Sequence, residues 1–267
     1  MRILLTSDLH RDGAKLLWLL EEAPAHDAIL VAGDQLDIFS RAGFAEQKSG
    51  ALRWKNAVLE TGKSLAWCSG NHDFFHGDCT PMAAASPLWM REAAWTETVL
   101  TAGESRLLAP AGGNLVVTTV PWPVCDGDMV IDGYRTSYLD FVKKLLREGR
   151  RLREEEGVPW IVLNHEPPGE TPLSASYQAP EADFTRRLIE AAAPDFSLHG
   201  HIHQAPTARG GSWIWQLGKT VSFNTGQSAP GEALHHILLE LRGPDDWTAV
   251  WSGGGRVQRA ESKQEPS

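Results

Sequence analysis

Three cysteines, Cys68, Cys79 and Cys125, are all that 267 residues contain. They are too few and too scattered for a disulfide framework or a thiolate zinc site. Long apolar runs are missing as well. No stretch approaches the ~20 apolar residues of a membrane span, and the run from Met1 to Thr6 is too short for a signal peptide and ends against Asp8. The expectation is a cytoplasmic protein with no membrane contact. Positive charge is in deficit, with a formal net charge of −9. An acidic surface repels polyanions, so gripping extended nucleic acid by its backbone is disfavoured. A small phosphorylated substrate held by a local cationic centre is compatible with it.

A hydrophobic content of 42% is enough for a sizeable core. No internal repeat or domain-separating linker interrupts residues 1–252, which read as one domain. Residues 253–267 lack aromatics and read as a disordered tail. Oligomeric state is not legible in the sequence.

Apolar runs at Ile3–Thr6, Ala28–Ala32 and Ser64–Cys68 alternate with helical stretches at Ala14–Glu22 and within Phe44–Leu59, a pattern of right-handed crossovers and parallel strands. Phe74–Trp95, with His76 and Asp78, reads as an irregular loop. A clear strand at Leu115–Val120 precedes a long amphipathic helix reaching about Glu156. Its Lys and Arg residues interleave with Glu148 and Glu154–Glu156, which predicts a self-compensated solvated face and implies no partner. Trp160–Leu163 is a further strand, and a helix from about Phe184 to Ala193 leads to Phe196–Leu198. The strand-like pieces Ser212–Gln216, Thr220–Asn224, Leu234–Leu241 and Trp247–Trp251 predict a second, more antiparallel sheet.

Chemistry collects where the strands end. Ile29-Leu30-Val31-Ala32 stops at Gly33-Asp34, delivering one carboxylate to the carboxyl edge, where α/β sheets place ligands. Four other ends carry Asp8 and His10, Asn71 and His72, His165, and His201 with His203. Taken as extended segments, Asp8/His10 and His201/His203 each present two groups to one side. Imidazoles, carboxylates and an amide carbonyl suit divalent manganese, iron or zinc. Any one of these residues has an ordinary alternative, such as an N-cap for Asp8 or a turn position for Asn71. Their recurrence at five successive strand ends is what points to metal binding.

Asp8-Leu9-His10, Gly33-Asp34-Gln35-Leu36-Asp37, Gly70-Asn71-His72-Asp73, Asn164-His165 and Gly200-His201-Ile202-His203 resemble, in order, the motifs of calcineurin-like binuclear metallophosphoesterases. The resemblance implies an α/β fold, a two-sheet mixed β-sandwich flanked by α-helices, and two divalent metal ions (Mn2+, Fe2+/Fe3+ or Zn2+). It implies that Asp8, His10 and His203 bind the first ion, that Asn71, His165 and His201 bind the second, and that Asp34 bridges. His72 is implied to sit over the leaving group with its ring oriented by Asp73, and Asp37 to support the site from behind. Two such ions ~4 Å apart acidify a bridging water, whose hydroxide attacks phosphorus in line.

Protein serine/threonine phosphatases of the superfamily carry Asp-Arg-Gly after the bridging motif. Here Asp37 is followed by Ile38-Phe39, so the pattern is more similar to the bacterial phosphodiesterase branch, including enzymes active on cyclic nucleotides. The implied function is hydrolysis of a small phosphodiester, a nucleotide being one candidate. A phosphomonoesterase on the same ions, or a non-catalytic binding module, is the alternative. Glu166 departs from the family pattern as an acidic residue directly after a ligand. Trp89, Trp95, Trp122 and Tyr134 lie in loop regions, where they stack on a base or aryl group or, as a Trp-rich chain favours, pack internally.

Overall fold

Leu4 and Ile29 point one way and Leu5 and Leu30 the other, and both pairs are fully buried. A strand apolar on both faces must lie between two layers. The computed structural model of the chain shows how this is met; it describes residues 1–74, 87–91, 98–122, 132–175, 177, 180–227, 233–243, 246–254 and 256–259. Strand β1 (Arg2–Thr6) leads into helix α1 (Gly13–Glu22), whose N-cap Asp12 accepts from the Ala14 and Lys15 amides. β2 (Ala28–Ala32), α2 (Phe44–Glu60), β3 (Ser64–Cys68), the short α3 (Leu88–Arg91) and β4 (Val99–Leu100) follow. β1 to β4 pair in parallel, as the alternation predicts.

The second half begins with β5 (Glu104–Leu108), β6 (Leu115–Val120), α4 (Asp132–Glu156), β7 (Trp160–Asn164), α5 (Pro180–Ala192) and β8 (Phe196–His199). It closes with β9 (Ile214–Leu217), β10 (Thr220–Asn224), β11 (Ile237–Leu241), β12 (Trp247–Trp251) and β13 (Arg256–Arg259). Two mixed sheets result. One has the order β13-β12-β11-β1-β2-β3-β4 and the other β5-β6-β7-β8-β10-β9.

Between the sheets, Leu5, Leu30, Ile161, Leu163, Phe196 and Phe223 share one core. The outer face of the first sheet packs Ile29, Val31 and Trp67 against Leu19, Trp54 and Val58 of α1 and α2. The outer face of the second packs Trp160 and Val162 against Val142, Leu146 and Ile189 of α4 and α5. The expected α/β sandwich flanked by helices is therefore observed.

Two expectations need correction. The C-terminal strands do not build one antiparallel sheet; they are divided. β10 runs parallel to β8 and extends the second sheet with β9, while β11 pairs antiparallel with β1 and makes it a central strand. The buried edge of β1 needs a backbone partner, and β11 supplies it. The irregular tail expected from Gly253 contains β13, which pairs antiparallel with β12, so the open edge of β12 is used. Residues 260–267 lie outside the described residues, as does most of the loop expected at Phe74–Trp95. On α4, Arg151 pairs with Glu148 and Glu155, and Arg153 pairs with Asp195 at 2.6 Å. That face is self-compensated. Among the described residues no helix is long and apolar enough to cross a membrane.

Candidate metal centre

β1, β2 and β3 of one sheet and β7 and β8 of the other all end at the same edge of the sandwich, and the loops that leave them are stitched together. The Asp8 amide donates to the Gly33 carbonyl (3.1 Å), the His10 amide to Asp34 (2.9 Å), and the Gly200 amide to His165 (3.0 Å). The loops after β1 and β2 are thus tied to each other, as are those after β7 and β8.

The side chains meet there in two groups. His203 Nε2 lies 3.1 Å from Asp8 Oδ1 and 3.2 Å from His10 Nε2. Asn71 Oδ1 lies 2.9 Å from His201 Nδ1 and 3.2 Å from His165 Nε2. Asp34 Oδ2 stands between the groups, 3.1 Å from His165 Nε2 and 3.8 Å from His10 Nε2. Donors that bind one ion at about 2.1 Å and at right angles are roughly 3 Å apart. The spacing and chemistry of the donor set therefore fit divalent metal ions. Asp8/His10/His203 and Asp8/Asp34/His165 each bring three ligand atoms within 4.8 Å of one another. The same holds for His10/Asp34/His72, so His72 lies against the cluster.

Convergence is not achieved as the sequence suggests. Asp8/His10 and His201/His203 do not lie on extended segments. Asp8 (φ 54°), His10 (φ 44°), Asp34 (φ 55°) and His201 (φ 64°) all occupy the left-handed region. Asp and His enter this region more readily than most residues, but each such residue still costs on the order of 1 kcal/mol. The chain turns sharply after each strand, and the turn aims the ligand.

Two glycines explain why these turns stay tight. Gly33, at φ +85°, would place a Cβ 2.4 Å from His165 Nδ1, and a Cβ on Gly70 would fall 2.2 Å from Asp34 Oδ1. Both sit in the quoted motifs, yet only the geometry shows that each makes room for a ligand.

Electrostatics tie the cluster together. Burial pushes the Asp8 carboxyl up, but His165, His203 and His10 overcome this and hold it well below the usual range. Burial likewise opposes ionisation of Asp34, and His165 reverses it. Burial would lower His165, whereas Asp34 and Asp8 raise it to about 10. His165 Nδ1 lies 2.7 Å from the Ala32 carbonyl and must donate to it, which leaves Nε2 toward Asp34 and Asn71. His201 is held at about 4 by burial and by His165.

The supporting carboxylates divide their work differently from expectation. Asp73 does not orient the His72 ring. Its Oδ2 accepts from the amides of Asp34 (2.9 Å) and Gly70 (2.8 Å), and its Oδ1 from Leu36 (3.0 Å). It therefore joins the loops after β2 and β3. Burial and the neighbouring Asp34 push its carboxyl up to about 8 despite those amides. Asp73→Ala is expected to strand three buried amides and to cost about 3 kcal/mol or more. Urea unfolding of the chelated protein measures this, and a loss below about 1 kcal/mol would contradict the role. The ring of His72 is instead met by Asp37, whose Oδ1 lies 3.5 Å from Nδ1, and by the Ile38 amide, which donates to Nδ1 at 3.3 Å.

His199 escaped the sequence reading. Fully buried, it donates from Nδ1 to the carbonyls of Asn164 (2.8 Å) and Glu166 (2.9 Å), the residues on either side of His165. Burial holds it at about 4. The unfolded chain protonates this group below about 6.5, the folded chain only near 4. Its contribution is thus complete above pH 6.5 and is lost as pH falls toward 4. Between pH 6.5 and 5 the loss is about 2 kcal/mol. His199→Asn removes that titration, so its chelated form is expected to lose about 2 kcal/mol less than wild type from pH 7 to 5. Equal losses would rule the assignment out.

Aromatic groups rim the cluster. Phe39, 82% exposed, meets His72 edge-on at 5.3 Å. Trp122 and Tyr177 lie 5.1 Å and 5.5 Å from the His201 ring. Trp89 is core, its indole donating to the Asp73 carbonyl at 2.9 Å. Trp95 and the Tyr134 side chain lie outside the described residues. A groove of about 710 Å³ runs between β5 and α4 beside Arg106, Lys144 and Arg151, and none of the clustered residues lines it.

A family model described as calcineurin-like phosphoesterase matches residues 1–205. Among solved structures, the chain is similar to TT1561 of Thermus thermophilus, with a TM-score of 0.55 and 16% identity over 97% of each chain. YfcE, a phosphoesterase from E. coli, is also similar, with a TM-score of 0.40 and 14% identity over 97% of this chain and 98% of that one. No curated protein matches the chain in sequence.

Proposed function

The chain belongs to the calcineurin-like phosphoesterase family, and from that membership we propose that it is a binuclear metal-dependent phosphodiesterase acting on a small diester, a nucleotide among the candidates. The observation that carries the choice of a diester is the charge around the cluster. Asp37 flanks its His72 end and Glu166 its His201 end, each within ion-pair reach of the ring. Arg11, next to the ligand His10, is already paired with Glu46. A diester brings one negative charge, whereas a monoester brings nearly two at neutral pH. Acidic flanks favour the first. The exposed Phe39 ring at one end and the exposed Tyr177 ring at the other offer faces for an aryl or nucleobase substituent.

When bound, two divalent ions supply Lewis-acid stabilisation of the phosphoryl oxygens and an acidified water. Asp8, His10 and His203 would hold one ion and Asn71, His165 and His201 the other, with Asp34 placed to serve both. Manganese, iron and zinc all suit this donor set. The Ile38 amide occupies Nδ1 of His72, so the neutral ring carries its proton on Nε2. That proton is the one available to a departing alkoxide.

Hydrolysis of bis-p-nitrophenyl and mono-p-nitrophenyl phosphate with Mn2+, compared side by side, tests the reading. The diester is expected to be the better substrate. Turnover of the monoester alone would leave a phosphatase. Failure with both esters under manganese, iron and zinc would leave a binding module.

A further inference from the structure

His201 offers two ring nitrogens, and the structure assigns them opposite tasks. Nδ1 faces Asn71 Oδ1 at 2.9 Å, inside the cluster. Nε2 faces away, toward Glu166 Oε2 at 3.7 Å and the Tyr177 hydroxyl at 3.4 Å. His165 provides the contrast, because its outward nitrogen donates to a neutral carbonyl, that of Ala32. One histidine of this half of the centre is thus backed by a peptide dipole and the other by a carboxyl group.

Glu166 is not there by loop accident. It is 3% exposed, and its carbonyl accepts from both the Asn164 side-chain Nδ2 (3.0 Å) and His199 Nδ1 (2.9 Å). Pro167 and Pro168 then restrict the chain beyond it. The backbone is therefore fixed, and the side chain is aimed along the interior at His201. Burying a carboxylate is costly unless positive charge is near. The His201 ring stands within ion-pair distance of it.

We propose that Glu166 is the positioning residue of the second metal ion. Its carboxylate fixes the proton of His201 on Nε2, keeps Nδ1 free for the metal and makes that nitrogen a stronger ligand. Affinity is raised at the Asn71/His165/His201 ion and not at the Asp8/His10/His203 ion. The inference rests on the ligand assignment given above.

Calorimetric titration of chelated protein with Mn2+ separates the possibilities. Wild type, Glu166→Gln and His201→Ala are compared, with thermal unfolding of each metal-free form. Glu166→Gln is expected to weaken one ion by about 10–100-fold, to leave the other near its wild-type affinity and to melt like wild type. Unchanged affinity for both ions would overturn the proposal. So would an equal loss at both ions accompanied by a lower melting temperature, which marks a merely structural role. His201→Ala holding both ions at wild-type affinity would overturn the ligand assignment itself, and the proposal with it. A crystal structure of the Mn2+-loaded wild type gives a check that needs no variant. His201 is expected to ligate through Nδ1, with Nε2 within hydrogen-bond distance of Glu166, and ligation through Nε2 would refute the inference.

Discussion

Asp34→Ala is expected to lower kcat/KM on a diester by more than the roughly 10–100-fold that follows loss of an outer-sphere partner, and to leave fewer than two ions bound. The physical reason is its position. Oδ2 lies 3.1 Å from His165 Nε2 and 3.8 Å from His10 Nε2, so it reaches toward both halves of the centre. Oδ1 is held by the His72 amide at 2.8 Å, and the Asp34 amide is held by Asp73 at 2.9 Å. Rotation away from the centre is therefore blocked. Asp34 also sustains the raised proton affinity of His165. Asp34→Asn keeps the volume and loses the charge, and is expected to show most of the same metal loss. Metal analysis after gel filtration in Mn2+ measures it. Two tightly bound ions in Asp34→Ala would contradict the bridging role.

His72→Ala is expected to lower kcat by about 10²–10⁴-fold for esters with poor alkyl leaving groups, and much less for p-nitrophenolate, which departs without a proton. Its Nδ1 is held by the Ile38 amide. The ring also lies against His10, with centroids 4.5 Å apart. Leaving-group dependence and metal content must therefore be read together. Retained metal with a steep leaving-group dependence fits a proton donor. Loss of an ion with uniform loss of rate would make His72 a ligand instead.

The strand ends were legible because a buried strand has little freedom. Ala28–Ala32 is apolar throughout, and an aspartate after Gly33 has only the carboxyl edge to occupy. The division of the C-terminal strands was not legible. Nothing in the residues of β9 to β12 marks which sheet each joins, and which partner they find is decided by the unpaired edges of β1 and β8.

The left-handed turns at Asp8, His10, Asp34 and His201 were equally hidden, because the residue types that tolerate such φ values are also the ligands. Asp73 was misread for a related reason. Adjacency to His72 in the chain invites a contact with its ring, but the short helical turn Asn71–Asp73 points the carboxylate into amides of its own loop and of the loop after β2. Glu166 stood out as an unusual residue, but its target was visible only once β7 and β8 were placed side by side.

The central claim is that one chain holds two ions on seven side chains with Asp34 between them. Anomalous diffraction from crystals grown with Mn2+ tests this most directly. Two peaks ~4 Å apart are expected, one against Asp8, His10 and His203, the other against Asn71, His165 and His201, and both in contact with Asp34. A single peak, or two peaks that do not share Asp34, would contradict it.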